Sequence, residues 1–383
     1  MEFDFETLVE RSGANLKLMM TPPEVVKAGN ISLDGAEPDF KSAPVIEEAV
    51  IRFAKNGLYG FTLPDEAYKS AVTKWMQMSR KTQIKPEWIV TTLGTIYSLA
   101  TTIRLVCTDP DDGIIVTTPV YNRYRQAADR LNKKTVECPL LYDSVNGSYQ
   151  MDFDAIKSAM ANPNNKLFVL CNPHNPVGRV WTKEELETIG DICYRHHVIV
   201  VSDEIHADFA FQGKHQVFAN LKKEYEEMTI ACTSPSKTFN LAGLQTSNIF
   251  IPNQKLKNAF KKQLDAAGYS QLNAAGLVAC EAAYRDGEEW YQTMKKYVAD
   301  NIAFTKEFVE KNLPGVNMVE HEGTYLIWLD FNGLGLCTQE LEDLIVHKAK
   351  LWLDSGRIFG KCGRGFQRIN VACPRSTLKE ALE

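Results

Sequence analysis

The amino-acid sequence predicts an α/β fold: a mostly parallel, doubly wound sheet in a large domain, with a smaller α+β C-terminal domain. Three observations lead there. From residue 89 onward, short apolar runs at 89–90, 113–117, 134–138, 167–171, 198–201, 229–232 and 246–251 alternate with helix-period stretches such as 96–107 and 183–196. Parallel neighbours need crossovers of that length. The runs are apolar at successive positions, which predicts a sheet covered on both faces. Beyond residue 282 the rhythm changes to a long amphipathic helix over 288–311, a strand over 324–330, a helix over 338–349 and a strand over 367–372.

Residues 1–39 are mixed and turn-rich, with Pro22, Pro23, Gly29 and Gly35, and read as an arm packed on another part of the chain. Lys41-Ser-Ala-Pro-Val opens a helix, and 66–78 places Ala67, Ala71, Val72, Trp75 and Met76 at helical spacing. The stretch 254–282 is helical with an interruption near 268–273, and Ser376 is positioned to cap a last helix of about two turns. The predicted division is a large domain over 40–282, with an N-terminal arm and small domain made of 1–39 and 283–383.

A chain of 383 residues has room for about two domains and a large interior. Its net charge of -5 argues against nucleic acid as a partner, since phosphate backbones call for a basic face. Nine cysteines without a Cys-x-x-Cys pair describe reduced thiols and a cytoplasmic location. The start, Met-Glu-Phe-Asp-Phe-Glu, has no signal-peptide pattern, and no apolar run is long enough to predict a membrane span. The adjacent His196 and His197 lack ligand spacing, so no metal site is expected.

The chemistry centres on Thr-Ser-Pro-Ser-Lys-Thr-Phe-Asn-Leu-Ala-Gly-Leu at 233–244. Lys237 falls just past the end of the 229–232 run, where open α/β sheets bind ligands. A desolvated amine there can condense with an aldehyde, and Ser234 offers a hydroxyl to a phosphate. Taken alone, the segment reads equally as a surface turn. Three further clusters sit at run ends. Asn172-Pro-His-Asn-Pro-Val-Gly can aim Asn175 from a rigid turn, although such a turn can be purely structural. Ser202-Asp-Glu-Ile-His puts Asp203 where a cation must answer it, unless it merely caps the next segment. Thr92-Leu-Gly-Thr-Ile joins a run to a helix, so Gly94 and Thr95 can meet an anion at the helix N-terminus. Tyr121 adds an aromatic face near another run end.

An aldehyde-reactive lysine, a phosphate cradle, a cation-pairing acid and an aromatic plate at the ends of one sheet match pyridoxal 5'-phosphate. Its aldehyde would take Lys237, its phosphate Gly94, Thr95 and Ser234, its pyridinium Asp203, its ring face Tyr121 and its phenolic oxygen Asn175. The acid would keep the ring nitrogen protonated and the ring an electron sink.

On these motifs, together with Ala36-Glu-Pro-Asp-Phe, Glu322-Gly-Thr-Tyr-Leu-Ile-Trp and Arg368-Ile-Asn-Val-Ala-Cys-Pro-Arg-Ser, the chain resembles the fold-type I pyridoxal-phosphate enzymes of the aspartate aminotransferase superfamily. Within them it is most similar to the MalY/PatB group of cystathionine β-lyases and cysteine C-S lyases. The resemblance covers nearly the whole chain. It implies that Arg368 clamps the substrate α-carboxylate, that His206 stands in for a cofactor-bonding tyrosine, and that Tyr59 reaches the phosphate of a neighbouring subunit in a homodimer with shared sites. Three positions depart from the family pattern. Gln245 stands where many aminotransferases carry a phosphate-binding arginine, Phe61 stands at the usual tyrosine position, and Ala36-Glu-Pro-Asp-Phe replaces Ala-Asp-Met-Asp-Phe beside the substrate. The implied reaction is β-elimination from an L-cysteine thioether, with Lys237 as general base, giving a thiol, pyruvate and ammonia. An aminotransferase and a cofactor-bearing regulator that binds a protein partner remain the alternatives.

Overall fold

A computed structural model describes residues 3–11, 13, 15–268 and 271–383. The apolar runs become one seven-stranded sheet. Its strands are β1 (Ile89–Thr92), β2 (Gly113–Thr118), β3 (Lys134–Pro139), β4 (Asn165–Cys171), β5 (Ile199–Asp203), β6 (Thr229–Thr233) and β7 (Ser247–Phe250), in the order β1-β7-β6-β5-β4-β2-β3. The β6/β5, β5/β4, β4/β2 and β2/β3 neighbours are parallel, whereas β7 runs antiparallel to both β1 and β6. The sheet is therefore mostly parallel, and the fold is α/β.

Both faces are covered, as successive apolar positions require. On one face Ile114, Val116, Val169 and Ile230 pack with Leu99 and Ile103 of the helix Thr95–Val106. On the other, Ile115, Phe168, Leu170 and Val200 meet Leu186, Ile189 and Ile192 of the helix Lys183–Arg195. That helix starts at a capping box, with Thr182 accepting from the Glu185 amide and Glu185 returning a carboxylate to the Thr182 amide. A side chain at Gly190 would run into the Tyr225 ring, so the close helix approach depends on that glycine.

A four-stranded antiparallel sheet forms from Asn317–Met318, Leu326–Asp330, Phe366–Asn370 and Asp354–Ser355. It packs with the helix Glu288–Asn312 through Val309, Ile327, Leu329 and Ile369. The leading segment is fastened to the rest of the chain at several places. Phe5 meets Phe40 and Trp290, and Ile31–Ser32 pairs in parallel with Leu351–Trp352. The helix opened by Lys41-Ser-Ala-Pro-Val is Pro44–Asn56, and the amphipathic one is Glu66–Arg80.

Several boundaries differ from expectation. The expected break in 254–282 separates Gln254–Ala266 from Ala274–Asp286, but the second helix runs past 282 to 286, and positions 269 and 270 lie outside the described residues. The stretch 338–349 begins as α-helix at Thr338–Asp343 and widens into a π-turn over Leu344–Lys348. Ser376 is not the cap of the last helix. That helix is Arg375–Leu382, with Pro374 at the capping position, and its first amide donates to the Tyr297 hydroxyl at 2.6 Å. A tertiary partner and the extended backbone at Pro374 start the helix two residues earlier than capping by Ser376 would.

Candidate active site

The ends of β1, β4, β5 and β6 open into a cleft of about 950 Å³. Gly94, Thr95, Tyr121, Asn175, Asp203, His206, Lys237 and Arg368 all line it. The parallel strands end on one edge of the sheet and bring most of these residues together, and Arg368 joins them from the four-stranded sheet.

Lys237 sits in the turn after β6, partly buried, and donates its Nζ to the Ala36 carbonyl at 2.9 Å. The Tyr325 hydroxyl donates to the same oxygen at 2.8 Å. Burial is the main cause that brings the lysine down from 10.5 to about 8; Glu37 and Asp203 oppose the shift and Arg368 adds to it. A substantial fraction of the amine is therefore neutral near physiological pH, the form that attacks an aldehyde or accepts a proton.

Asp203 ends β5, and burial pushes its carboxyl up to about 6, against the Tyr124 hydroxyl that donates to it at 2.8 Å. Its neighbour Glu204 points elsewhere and is held below the usual carboxylate range: burial opposes ionisation, but His215 at 3.1 Å and Arg80 at 3.3 Å answer the charge. Of the two adjacent acids, Asp203 is the one that faces the cleft and lacks an ion pair among the described residues. His206 is buried beside the Tyr325 ring, and its Nδ1 has no protein partner. Burial, then Lys237 and Arg368, lower its basicity well below 6.5, so it is a neutral imidazole.

Arg368 lies on the strand Phe366–Asn370, its guanidinium over the Phe359 ring at 4.8 Å. Nε donates to Asp354 Oδ2 at 3.1 Å, and Nη1 donates to Asn175 Oδ1 at 2.7 Å. With its amide oxygen engaged in that way, Asn175 keeps its NH₂ as the group to offer a ligand. Gly94 caps the helix Thr95–Val106 without a side chain, and a Cβ built on it would meet nothing within 4 Å. The first helical amides thus face open space, a ready anion site. Tyr121 meets Tyr124 edge-on at 5.7 Å.

One expected residue, Ser234, is not brought to this cleft, and Tyr59, expected at a neighbouring subunit's phosphate, lies on the outer surface. Ser234 is buried, donating to the Thr246 carbonyl at 2.7 Å and accepting the Ser236 amide at 3.1 Å, and Ser236 lines the cleft in its place. Tyr59 is 68% exposed and donates to the Ala54 carbonyl at 3.0 Å. Gln245 does line the cleft, whereas Phe61 is 89% exposed. Sequence reading missed Tyr124, Asp354 and Tyr325. Tyr124 could have been suspected from its place one turn after Tyr121; Asp354 carries no local signal.

These residues fit pyridoxal phosphate on structural grounds: a lysine of lowered pKa, an unpaired acid, an orphaned buried imidazole nitrogen and an uncapped helix start share one cavity. Comparison with known proteins agrees. The model of the family "Aminotransferase class I and II" matches residues 28–383. The chain belongs to this family. Among curated family relatives, cystathionine β-lyase PatB of Bacillus subtilis is 37% identical over 348 residues, covering 91% of this chain and 89% of PatB. Cystalysin from Treponema denticola, whose crystal structure contains pyridoxal 5'-phosphate, superposes with a TM-score of 0.95 at 36% identity, covering 100% of this chain and 97% of cystalysin. The pyridoxal-phosphate-bound C-S lyase from Staphylococcus hominis superposes at 0.90 with 30% identity, covering 100% and 97% of the two chains. The cofactor of this family member is pyridoxal 5'-phosphate.

Proposed function

We propose that this chain is a pyridoxal-phosphate-dependent carbon-sulfur β-lyase that cleaves L-cystathionine or related L-cysteine thioethers to a thiol, pyruvate and ammonia. The observation that carries the reading is kinship with PatB, a cystathionine β-lyase, over 91% of the chain. It is supported by a cleft in which a lysine lowered to about 8 stands among the groups this cofactor requires.

When bound, pyridoxal phosphate supplies an aldehyde and an electron-withdrawing pyridinium that takes up the charge left by removal of a Cα proton. Lys237 would hold the cofactor's aldehyde and, as a free amine, would take the Cα proton onto its Nζ. The Ala36 carbonyl, 2.9 Å from that nitrogen, holds the amine in reach. Asp203 keeps the ring nitrogen protonated, and Tyr124 orients the carboxylate. Arg368 binds the α-carboxylate through a guanidinium already oriented by Asp354 and Asn175. Gly94, Thr95 and Ser236 would hold the phosphate, Asn175 and His206 would offer hydrogen bonds to the phenolic oxygen, and Tyr121 would supply an aromatic face for the ring.

The same proposal includes a homodimer. Leu58, Tyr59, Phe61 and Leu63 form an exposed apolar segment, each at least 68% exposed, suited to cover the partner's cleft. It also includes the large and small domains over 40–282 and 1–39 plus 283–383, and a cytoplasmic location, in keeping with nine free thiols. Among the described residues no helix is long and apolar enough to cross a membrane.

Release of pyruvate and thiol from L-cystathionine by the purified holoenzyme, with no 2-oxo acid added, is the expected result. An absolute requirement for a 2-oxo acid would replace the lyase reading with transamination. Cofactor binding without either activity would replace it with the regulatory role.

A further inference from the structure

The proposed reaction explains the chemistry at the sulfur-bearing carbon but not which thioether is chosen. The cleft wall formed by residues 34–37, which leads into the departing segment Ala36-Glu-Pro-Asp-Phe, carries that information. Its charges can be accounted for one by one. Glu37 is met by Arg11 at 2.8 Å. Asp39, behind the wall, is met by Arg11 at 2.7 Å and by Lys17 at 3.3 Å, so those four side chains neutralise one another. Asp354 is committed to Arg368, and Asp203 is committed to the cofactor side.

Asp34 is left over. It lines the cleft, half-buried, and its side chain accepts only the Ser32 hydroxyl, at 2.6 Å, with no ion pair among the described residues. The next residue ties it to the substrate clamp: the Gly35 amide donates to Asp354 Oδ2 at 2.8 Å, the same oxygen that receives Arg368. The carboxyl is raised above 3.8, first by burial, and nearby Asp354 adds to the shift while Ser32 and Lys17 oppose it. The negative charge there is under-compensated, and a ligand cation would complete it.

We propose that Asp34 is a specificity-determining residue that selects cysteine thioethers bearing an ammonium at the far end of the sulfur substituent. The proposal rests on the β-lyase reading and deepens it by naming the substrate class. L-cystathionine carries such an ammonium on its distal half. With Arg368 taking the α-carboxylate and Asp34 the distal ammonium, the substrate is held at both ends and the carbon-sulfur bond lies between them.

The test uses the holoenzyme and two thioethers with substituents of equal heavy-atom count. S-(2-aminoethyl)-L-cysteine carries the distal ammonium, and S-propyl-L-cysteine carries a methyl in its place. Binding is read from the change in cofactor absorbance and turnover from pyruvate release. The wild-type enzyme is expected to prefer the aminoethyl compound by about tenfold, the lower end for a charge-assisted hydrogen bond that stays half exposed. In Asp34→Asn that ratio is expected to fall to within about twofold. A wild-type ratio near one, or a preference that survives the substitution, overturns the proposal. If both compounds bind but neither yields pyruvate, the lyase reading fails while the binding ratio still decides the role of Asp34. Failure of the aminoethyl compound to bind overturns the role of Asp34, whatever the propyl compound does.

Discussion

Replacing Lys237 by methionine should abolish turnover and, in the cofactor-free protein, increase stability. The fall of the lysine from 10.5 to about 8 corresponds to at most about 3 kcal/mol at ~1.36 kcal/mol per pH unit. Burial is the leading cause, so that energy is what the folded apoprotein gives up to hold a charged amine at pH 7. Methionine fills a similar volume without the charge, and Tyr325 continues to donate to the Ala36 carbonyl. The sign follows from proton counting: between pH 8 and 10.5 the unfolded chain binds the proton and the folded chain does not, so wild-type stability rises with pH in that window. Urea unfolding of both apoproteins from pH 7 to pH 10.5 measures the difference. Lys237→Met should be more stable by up to about 3 kcal/mol at pH 7, the gap closing toward pH 10.5. A variant less stable than wild type at pH 7, or a gap independent of pH, would refute the buried-charge argument. Retention of turnover within tenfold would refute the catalytic one.

Two further substitutions test the surrounding groups. Arg368→Lys keeps the charge but loses the planar contacts to Asp354 and Asn175; kcat/KM for cysteine thioethers should fall about tenfold or more, and steady-state kinetics showing a change under twofold would count against the clamp. Tyr124→Phe removes the hydroxyl that holds Asp203 down to about 6. The carboxyl should rise by about one to two pH units, moving the pH profile of cofactor binding to the apoprotein in the alkaline direction; an unmoved profile would show that the hydrogen bond does not set the acid's charge.

The inner strands β2, β4, β5, β6 and β7 were legible because a strand covered on both faces must be largely apolar at consecutive positions, and each run in the sequence became a strand. Lys237, Asp203 and Gly94 were legible for a related reason. Each lies within a few residues of a strand end, and a parallel sheet brings those ends to one edge. The antiparallel direction of β7 and its insertion between β1 and β6 were not, since a short apolar run has no direction in its composition. The choice of Ser236 over Ser234 at the cleft also escaped, because the turn's hydrogen bond to Thr246 decides which hydroxyl faces inward.

The sequence by itself determined the layered architecture, the cofactor class and the place of Lys237 at a strand end, since these depend on residue type and on distances of a few positions along the chain. Only the tertiary structure decided how those groups are tuned. The carbonyl that steadies Lys237 comes from Ala36, the phenol on Asp203 from Tyr124, and the acid that aims Arg368 from Asp354. Burial and partners brought from distant parts of the chain set the charge states, and neither can be read from neighbours in sequence.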